Sequence, residues 1–284
     1  MSIAAAHISA EALSDMIQLF ESQSWTKILH EELAELWNIC TSREQQVLIR
    51  DLIRDFCMFD AEREANACRQ FNEQIQQWEL KPGSTWIVAV ANADEIDGST
   101  AGLQKLKNKV LPYEEWHSRF VSNIPEAAKK IRNGDNIVLF DDFVGSGKKI
   151  VRKVAWLKKI LEDNAIREMN IFSSCFSGME LGIQYIKDEL KIPVFTSISL
   201  KRGISDRYKE KDLETAIRTM KDIEAQLSPT YRNKYINEYS LGFNQSEALY
   251  CATNDNCPNN VFPVFWWPKK KDGSPFRTLL QRAG

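Results

Sequence analysis

Four short runs in this chain are rich in strand formers: Trp86–Ala91, Ile137–Phe140, Met169–Ser174 and Val194–Leu200. Helical stretches separate them, at Thr100–Val110, Lys149–Asn164 and around Met179–Leu190. A strand that is apolar on both faces must be covered on both sides. Strands alternating with helices therefore predict an α/β fold with a central, mainly parallel sheet flanked by helices. The first eighty residues read as a helical N-terminal region. Ser9 is placed to cap a helix running to about Glu21, with Leu13, Ile17 and Phe20 on one face. Thr41 with Glu44, and Ser42 with Gln45, form two overlapping capping boxes ahead of Val47, Leu48, Leu52, Phe56 and Phe59. Pro82-Gly83 ends this region. The expected division is a helical region over 1–80 and an α/β domain over 81–284. Leu249 to Phe265 reads as an added strand or an extended segment.

Composition excludes several classes. With 284 residues the chain makes one large domain or two modest ones. Lys plus Arg total 37 and Asp plus Glu total 39, a net charge of -2, which excludes an acidic disordered tail and a wholly basic nucleic-acid coat. No apolar stretch approaches the ~18 residues a membrane span needs. MSIAAAHISAEAL has no basic start and no long apolar core, so no signal peptide is expected. Six cysteines form no C-x-x-C pair, and three histidines lie far apart, which argues against zinc. The expectation is a cytoplasmic protein with reduced thiols.

The loop after the second strand carries the chemistry. Ile137 to Phe140 end in Asp141-Asp142, and Phe143-Val144-Gly145-Ser146-Gly147 then opens a helix at Lys148-Lys149. In an open parallel sheet, ligands sit at the carboxyl ends of strands. A glycine turn at a helix start offers backbone N–H groups to a phosphate. Two carboxylates facing the same cleft suit vicinal hydroxyls but repel phosphate, so the pattern points to a sugar phosphate. Lys148, Lys149, Arg152 and Lys153 crowd the helix start, where cations oppose the helix dipole. An anionic ligand would relieve that conflict. A Walker A loop fails twice: its first glycine falls on Asp142 and its Ser/Thr on Lys149.

This segment resembles the PRPP-binding motif of type I phosphoribosyltransferases: four apolar residues, two acids, two apolar residues, two small residues and a glycine. The resemblance implies a type I phosphoribosyltransferase-like fold and binding of 5-phosphoribosyl-1-diphosphate (PRPP), usually with Mg²⁺. Asp141 and Asp142 would be the catalytic pair holding the ribose hydroxyls, and the possible Mg²⁺ ligands. Val144, Gly145, Ser146, Gly147 and Lys148 would wrap the 5-phosphate. Lys149 stands where the family often has Thr or Ser. The family's diphosphate loop would fall at Ala91–Thr100, with Ser99 at a helix entry beside Asp94, Glu95 and Asp97. Lys201 and Arg202, after the Val194–Leu200 strand, suit either the diphosphate or a solvated turn, and Arg207 and Tyr208 share that ambiguity. Ser173-Ser174-Cys175 would close a strand and line the cleft; Cys175 has no histidine nearby in sequence to make it a nucleophile.

Leu241–Tyr250 and Cys257–Trp267 resemble a divergent branch of phosphoribosyltransferase-like domains found in bacterial conflict systems, including retrons. That resemblance implies a toxin-like effector of an anti-phage system, acting at ribose C1. Its implied partners are a reverse transcriptase with its RNA–DNA product and a helix-turn-helix protein, in an oligomer or complex. The alternative is a catalytically lapsed subunit that senses a nucleotide or ribose phosphate, or serves assembly. Phe262, Phe265, Trp266 and Trp267 are expected first as core or subunit-contact residues.

Overall fold

The computed structural model describes residues 9–93 and 98–283. Along the chain, the helices are α1 (Ala10–Ser22), α2 (His30–Ile39), α3 (Arg43–Arg54), α4 (Ala61–Gln77), α5 (Gly98–Leu106), α6 (Tyr113–Trp116), α7 (Ile124–Lys130), α8 (Lys148–Asp163), α9 (Glu180–Leu190) and α10 (Glu210–Glu224). The strands are β1 (Cys57–Phe59), β2 (Thr85–Ala89), β3 (Phe120–Val121), β4 (Asp135–Val144), β5 (Met169–Met179), β6 (Val194–Leu200), β7 (Thr230–Tyr231), β8 (Lys234–Tyr235) and β9 (Tyr250–Ala252). None of the described helices is long and apolar enough to cross a membrane.

Contacts divide the chain into two compact units, Asp60–Lys201 and a second made of Met1–Phe59 with Arg202–Gly284. This division departs from the expected boundary at residue 80. α4 buries Ala67, Cys68, Phe71 and Ile75 and packs on β5 and β6, so it belongs with the sheet. Residues 57–59 instead pair in parallel with residues 250–252 as β1 and β9. The C-terminal strand is therefore added to β1 and not to the main sheet.

The sheet of the first unit has the order β3-β2-β4-β5-β6, with every pairing parallel. This is the mainly parallel, helix-flanked α/β sheet that the alternation dictates. On one face Ile137, Leu139 and Val88 pack with Ile124 and Ala127 of α7, with Ile150, Val154, Leu157 and Leu161 of α8, and with Ile183 and Ile186 of α9. The α8 residues recur at helical spacing, so one stripe of that helix is buried. On the other face Phe140 meets Phe71 of α4 at 6.1 Å and Phe176 of β5 at 4.9 Å. Gly102 of α5 lies so close to Phe140 that a Cβ there would come within 2.8 Å of its ring.

In the second unit the caps expected at Ser9 and Ser42 form. Ser9 Oγ accepts from the Ala12 N–H at 3.1 Å, and Ser42 Oγ accepts from the Gln45 N–H at 3.3 Å. Gln45 Oε1 reaches back to the Thr41 N–H at 2.6 Å, one residue earlier than the Ser42 box specifies. Asp15, 3% exposed, bridges Arg43 and Arg50 and ties α1 to α3. Burial pushes its carboxyl up, but the two guanidinium groups outweigh this and hold it below its ordinary range. Phe262, Phe265, Trp266 and Trp267 are all buried, as expected of core residues.

Candidate functional site

The two acids lie inside β4, near its carboxyl end. Successive side chains of a strand point to opposite faces. Asp141 is therefore sent toward α8 and Asp142 toward α5. Asp141 is 2% exposed, and its Oδ1 accepts from Lys149 Nζ at 3.0 Å and from the Asp142 N–H at 3.2 Å. Asp142 is half-buried against the first residue of α5, where a Cβ on Gly98 would fall 2.3 Å from its Oδ2. The expectation that both carboxylates face one cleft does not hold. The strand continues through the acids to Val144, and its pleat separates them.

Gly145, Ser146 and Gly147 form the turn that delivers the chain from β4 into α8. Gly147 precedes the helix with φ +77°, a left-handed conformation that suits glycine, and caps α8 with no side chain. It has a second constraint as well: a Cβ would lie 2.5 Å from the Gly182 carbonyl oxygen in α9. The missing side chain at 147 therefore makes room for α9, whatever it also admits.

Lys148 is exposed at the helix start, and Lys149 has its side chain 34% exposed. One turn on, Lys153 is buried and donates to Asn92 Oδ1 at 2.6 Å. Asn92 lies in the segment that follows β2, so Lys153 links α8 to the place where a diphosphate loop is expected. Sequence reasoning counted Lys153 among the crowding cations and did not single it out; its i, i+4 spacing from Lys149 was the available signal. The expected clash between these cations and the helix dipole is thus partly resolved within the protein.

Ser99 is buried in the first turn of α5, and Thr100 beside it donates to the Ser122 carbonyl at 3.4 Å. Asp94, Glu95 and Asp97 lie outside the described residues. Ser173, Ser174 and Cys175 sit in the middle of β5, because that strand runs to Met179 and not to Ser174. They close no strand end. Burial pushes the Cys175 thiol up to about 12, so it stays protonated at neutral pH. Lys201 is exposed directly after β6, at its carboxyl end. Arg202 belongs to the other unit, where its guanidinium donates to Asp206 Oδ1 at 3.1 and 2.7 Å. Arg207 of that unit pairs with Asp51 of α3 and with Asp55 just after it.

The β4–α8 corner thus brings together Asp141, Asp142, the Val144–Gly147 turn, Lys148 and Lys149 at the carboxyl edge of a parallel sheet. Solved structures with a related chain course are distant. A hypothetical protein from Neisseria gonorrhoeae with bound ppGpp shares 11% identity, with a TM-score of 0.37 over 57% of this chain and 93% of that one. An orotate phosphoribosyltransferase from Aeropyrum pernix shares 11% identity, with a TM-score of 0.30 over 54% of this chain and 74% of that one. An HGPRT-ase from Leishmania tarentolae in complex with GMP shares 12% identity, with a TM-score of 0.28 over 50% of this chain and 76% of that one. Comparison with curated proteins gave no match. The PRTase-CE family model matches residues 18–282, and the chain belongs to this phosphoribosyltransferase-like family.

Proposed function

We propose that the β4–α8 corner binds PRPP or a ribose 5-phosphate and that the protein acts at ribose C1. The observation that carries this reading is the glycine turn leading into α8 directly after an acid pair, at the carboxyl edge of the sheet. Backbone N–H groups of Gly145 to Lys148 take the 5-phosphate, with Ser146 adding a hydroxyl and Lys148 and Lys149 adding charge. Asp142 takes a ribose hydroxyl. Asp141 acts from beneath, as the counter-ion that orients Lys149. Ser99 and Lys201 are assigned to the diphosphate side.

Among the described residues no three His, Cys, Asp or Glu side chains converge as a metal site. Asp141 is paired with Lys149. Mg²⁺ commonly binds through one or two carboxylates and substrate phosphates, so it enters this reading as part of the Mg·PRPP substrate. In the reaction the bond from C1 to diphosphate breaks and a bond to the acceptor forms. The transition state has oxocarbenium character, and the protein contributes positioning and charge stabilisation.

The biological role we propose is a cytoplasmic effector, toxin-like, in an anti-phage system such as a retron. A reverse transcriptase with its RNA–DNA product, or a helix-turn-helix protein, would hold it in check. The Asp141–Lys149 ion pair favours a second reading, a domain that binds a ribose phosphate without turning it over.

Calorimetry with PRPP, ribose 5-phosphate and ATP, each with Mg²⁺, tests the binding. Both ribose phosphates are expected to bind and ATP is not. Binding of ATP alone would reject the site. Release of diphosphate from PRPP separates the enzyme from the sensor.

A further inference from the structure

The unit formed by Met1–Phe59 with Arg202–Gly284 contains a cavity of about 730 Å³ that the β4–α8 corner does not use. Its walls include the end of α10, the segment 236–245 and Lys271. The volume lies within the roughly 300–1,000 Å³ of small-molecule sites. Three features of its lining point to one ligand chemistry.

The first is Phe243, which is 39% exposed and lines the cavity. It is backed by Tyr239 at 6.2 Å, which in turn meets Trp266 edge-on at 5.4 Å and Trp267 at 6.1 Å. Trp266 is anchored by its own Nε1–H, which donates to the Val261 carbonyl at 2.9 Å. An accessible ring on a half-buried tyrosine, itself set against two buried tryptophans, is a stacking platform for a flat heteroaromatic group.

The second is the polar inventory. Asn237 and Gln245 bring side-chain amides, which both donate and accept hydrogen bonds. Glu224, 5% exposed, brings a carboxyl held by the Ser240 hydroxyl at 2.5 Å and the Leu241 N–H at 2.9 Å. Amides and a carboxyl beside an aromatic face match the edge of a nucleobase. Lys221 and Lys271, both exposed, supply two ammonium groups for an anionic end, against the one further exposed carboxylate of the lining, Glu238.

The third is the backbone that presents Phe243. Leu241, Gly242, Asn244, Gln245 and Glu247 have φ of 58°, 77°, 57°, 53° and 48°. Four of these are not glycine, so the segment is costly to hold. It is held from several sides: Leu241 by Glu224, and the Phe243 carbonyl by Asn260 Nδ2 at 3.3 Å and by Ser246 Oγ at 2.6 Å. Strain over-determined in this way is typical of a ligand clamp.

We propose that this cavity binds a purine nucleoside monophosphate, with the base stacked on Phe243, its edge read by Asn237, Gln245 and Glu224, and the phosphate between Lys221 and Lys271. The full chain is titrated with AMP, GMP, UMP and inorganic phosphate, by calorimetry and by the fluorescence of the adjoining Trp266 and Trp267. Each titration is repeated with ribose 5-phosphate in excess, which occupies the β4–α8 corner if that site exists and changes nothing if it does not. The expected result is saturable binding of AMP or GMP that survives ribose 5-phosphate, with UMP weaker by at least tenfold. Phe243→Ala, and Lys221→Ala combined with Lys271→Ala, should each weaken it at least tenfold. Phe243→Leu keeps the apolar bulk without the ring and should behave like Phe243→Ala, with unfolding curves checking that each variant is folded. No purine binding, binding abolished by ribose 5-phosphate, equal affinity for phosphate or UMP, or indifference to these substitutions in folded variants would each overturn the proposal.

Discussion

Asp142→Asn is expected to weaken binding of PRPP or ribose 5-phosphate by about 10- to 100-fold while leaving the unfolding midpoint nearly unchanged. A hydrogen bond to a charged group is worth about 1.5–3 kcal/mol. Asp142 is half-buried, and its amide replacement keeps the size of the side chain. Asp141→Asn should instead cost stability. Its carboxylate is 2% exposed and paired with Lys149, so losing the charge takes one counter-ion away from a part-buried ammonium. Because Lys149 is about one-third exposed, solvent screens the loss, and we expect a cost of about 1–2 kcal/mol. Calorimetry reads the affinity and urea unfolding reads the stability. If Asp141→Asn leaves stability untouched and Asp142→Asn leaves affinity untouched, the roles assigned to the two faces of β4 are wrong.

Gly147→Val is expected to cost about 3 kcal/mol or more of stability. Two penalties act together. The left-handed φ of +77° costs a side-chain-bearing residue about 1–2 kcal/mol, and the new Cβ would lie 2.5 Å from the Gly182 carbonyl oxygen. Gly182→Ala should be damaging for the reciprocal reason, since its Cβ would fall 2.0 Å from the Gly145 carbonyl oxygen. Neither substitution reports on the phosphate alone. Lys148→Ala tests the phosphate more directly: Lys148 is exposed, and its loss should weaken phosphate binding about threefold to tenfold, most at low salt. A Gly147→Val protein that unfolds at the wild-type urea concentration would show that the turn is not locked against α9.

The parallel sheet was readable because a strand covered on both faces needs no help from its neighbours to reveal itself: Ile137–Phe140 is apolar throughout and buried. The caps at Ser9 and Ser42 were readable because capping is local, decided within four residues. The β4–α8 turn was readable because glycines and acids at a strand end mark a corner in any context. That same reading stopped β4 at Phe140, since acids are poor strand residues. Only the fold supplies Lys149, which lets a carboxylate stay buried inside the strand, and only the resulting pleat sends Asp141 and Asp142 to opposite faces.

What the sequence determined by itself is therefore the class of fold, the existence of four of its main strands and the corner where a ligand is expected, because each rests on periodicity or on neighbours in the chain. The tertiary structure decided the rest, because the deciding partners are distant in sequence. β1 and β9 are three residues each and carry no periodic signal; they become strands by pairing with one another across nearly two hundred residues. That pairing moves α1 to α3 into a unit with the C-terminal residues and leaves α4 with the sheet. Gly147 answers to Gly182, and Lys153 to Asn92, 61 residues away. Contacts of this kind exist only once the chain has closed on itself.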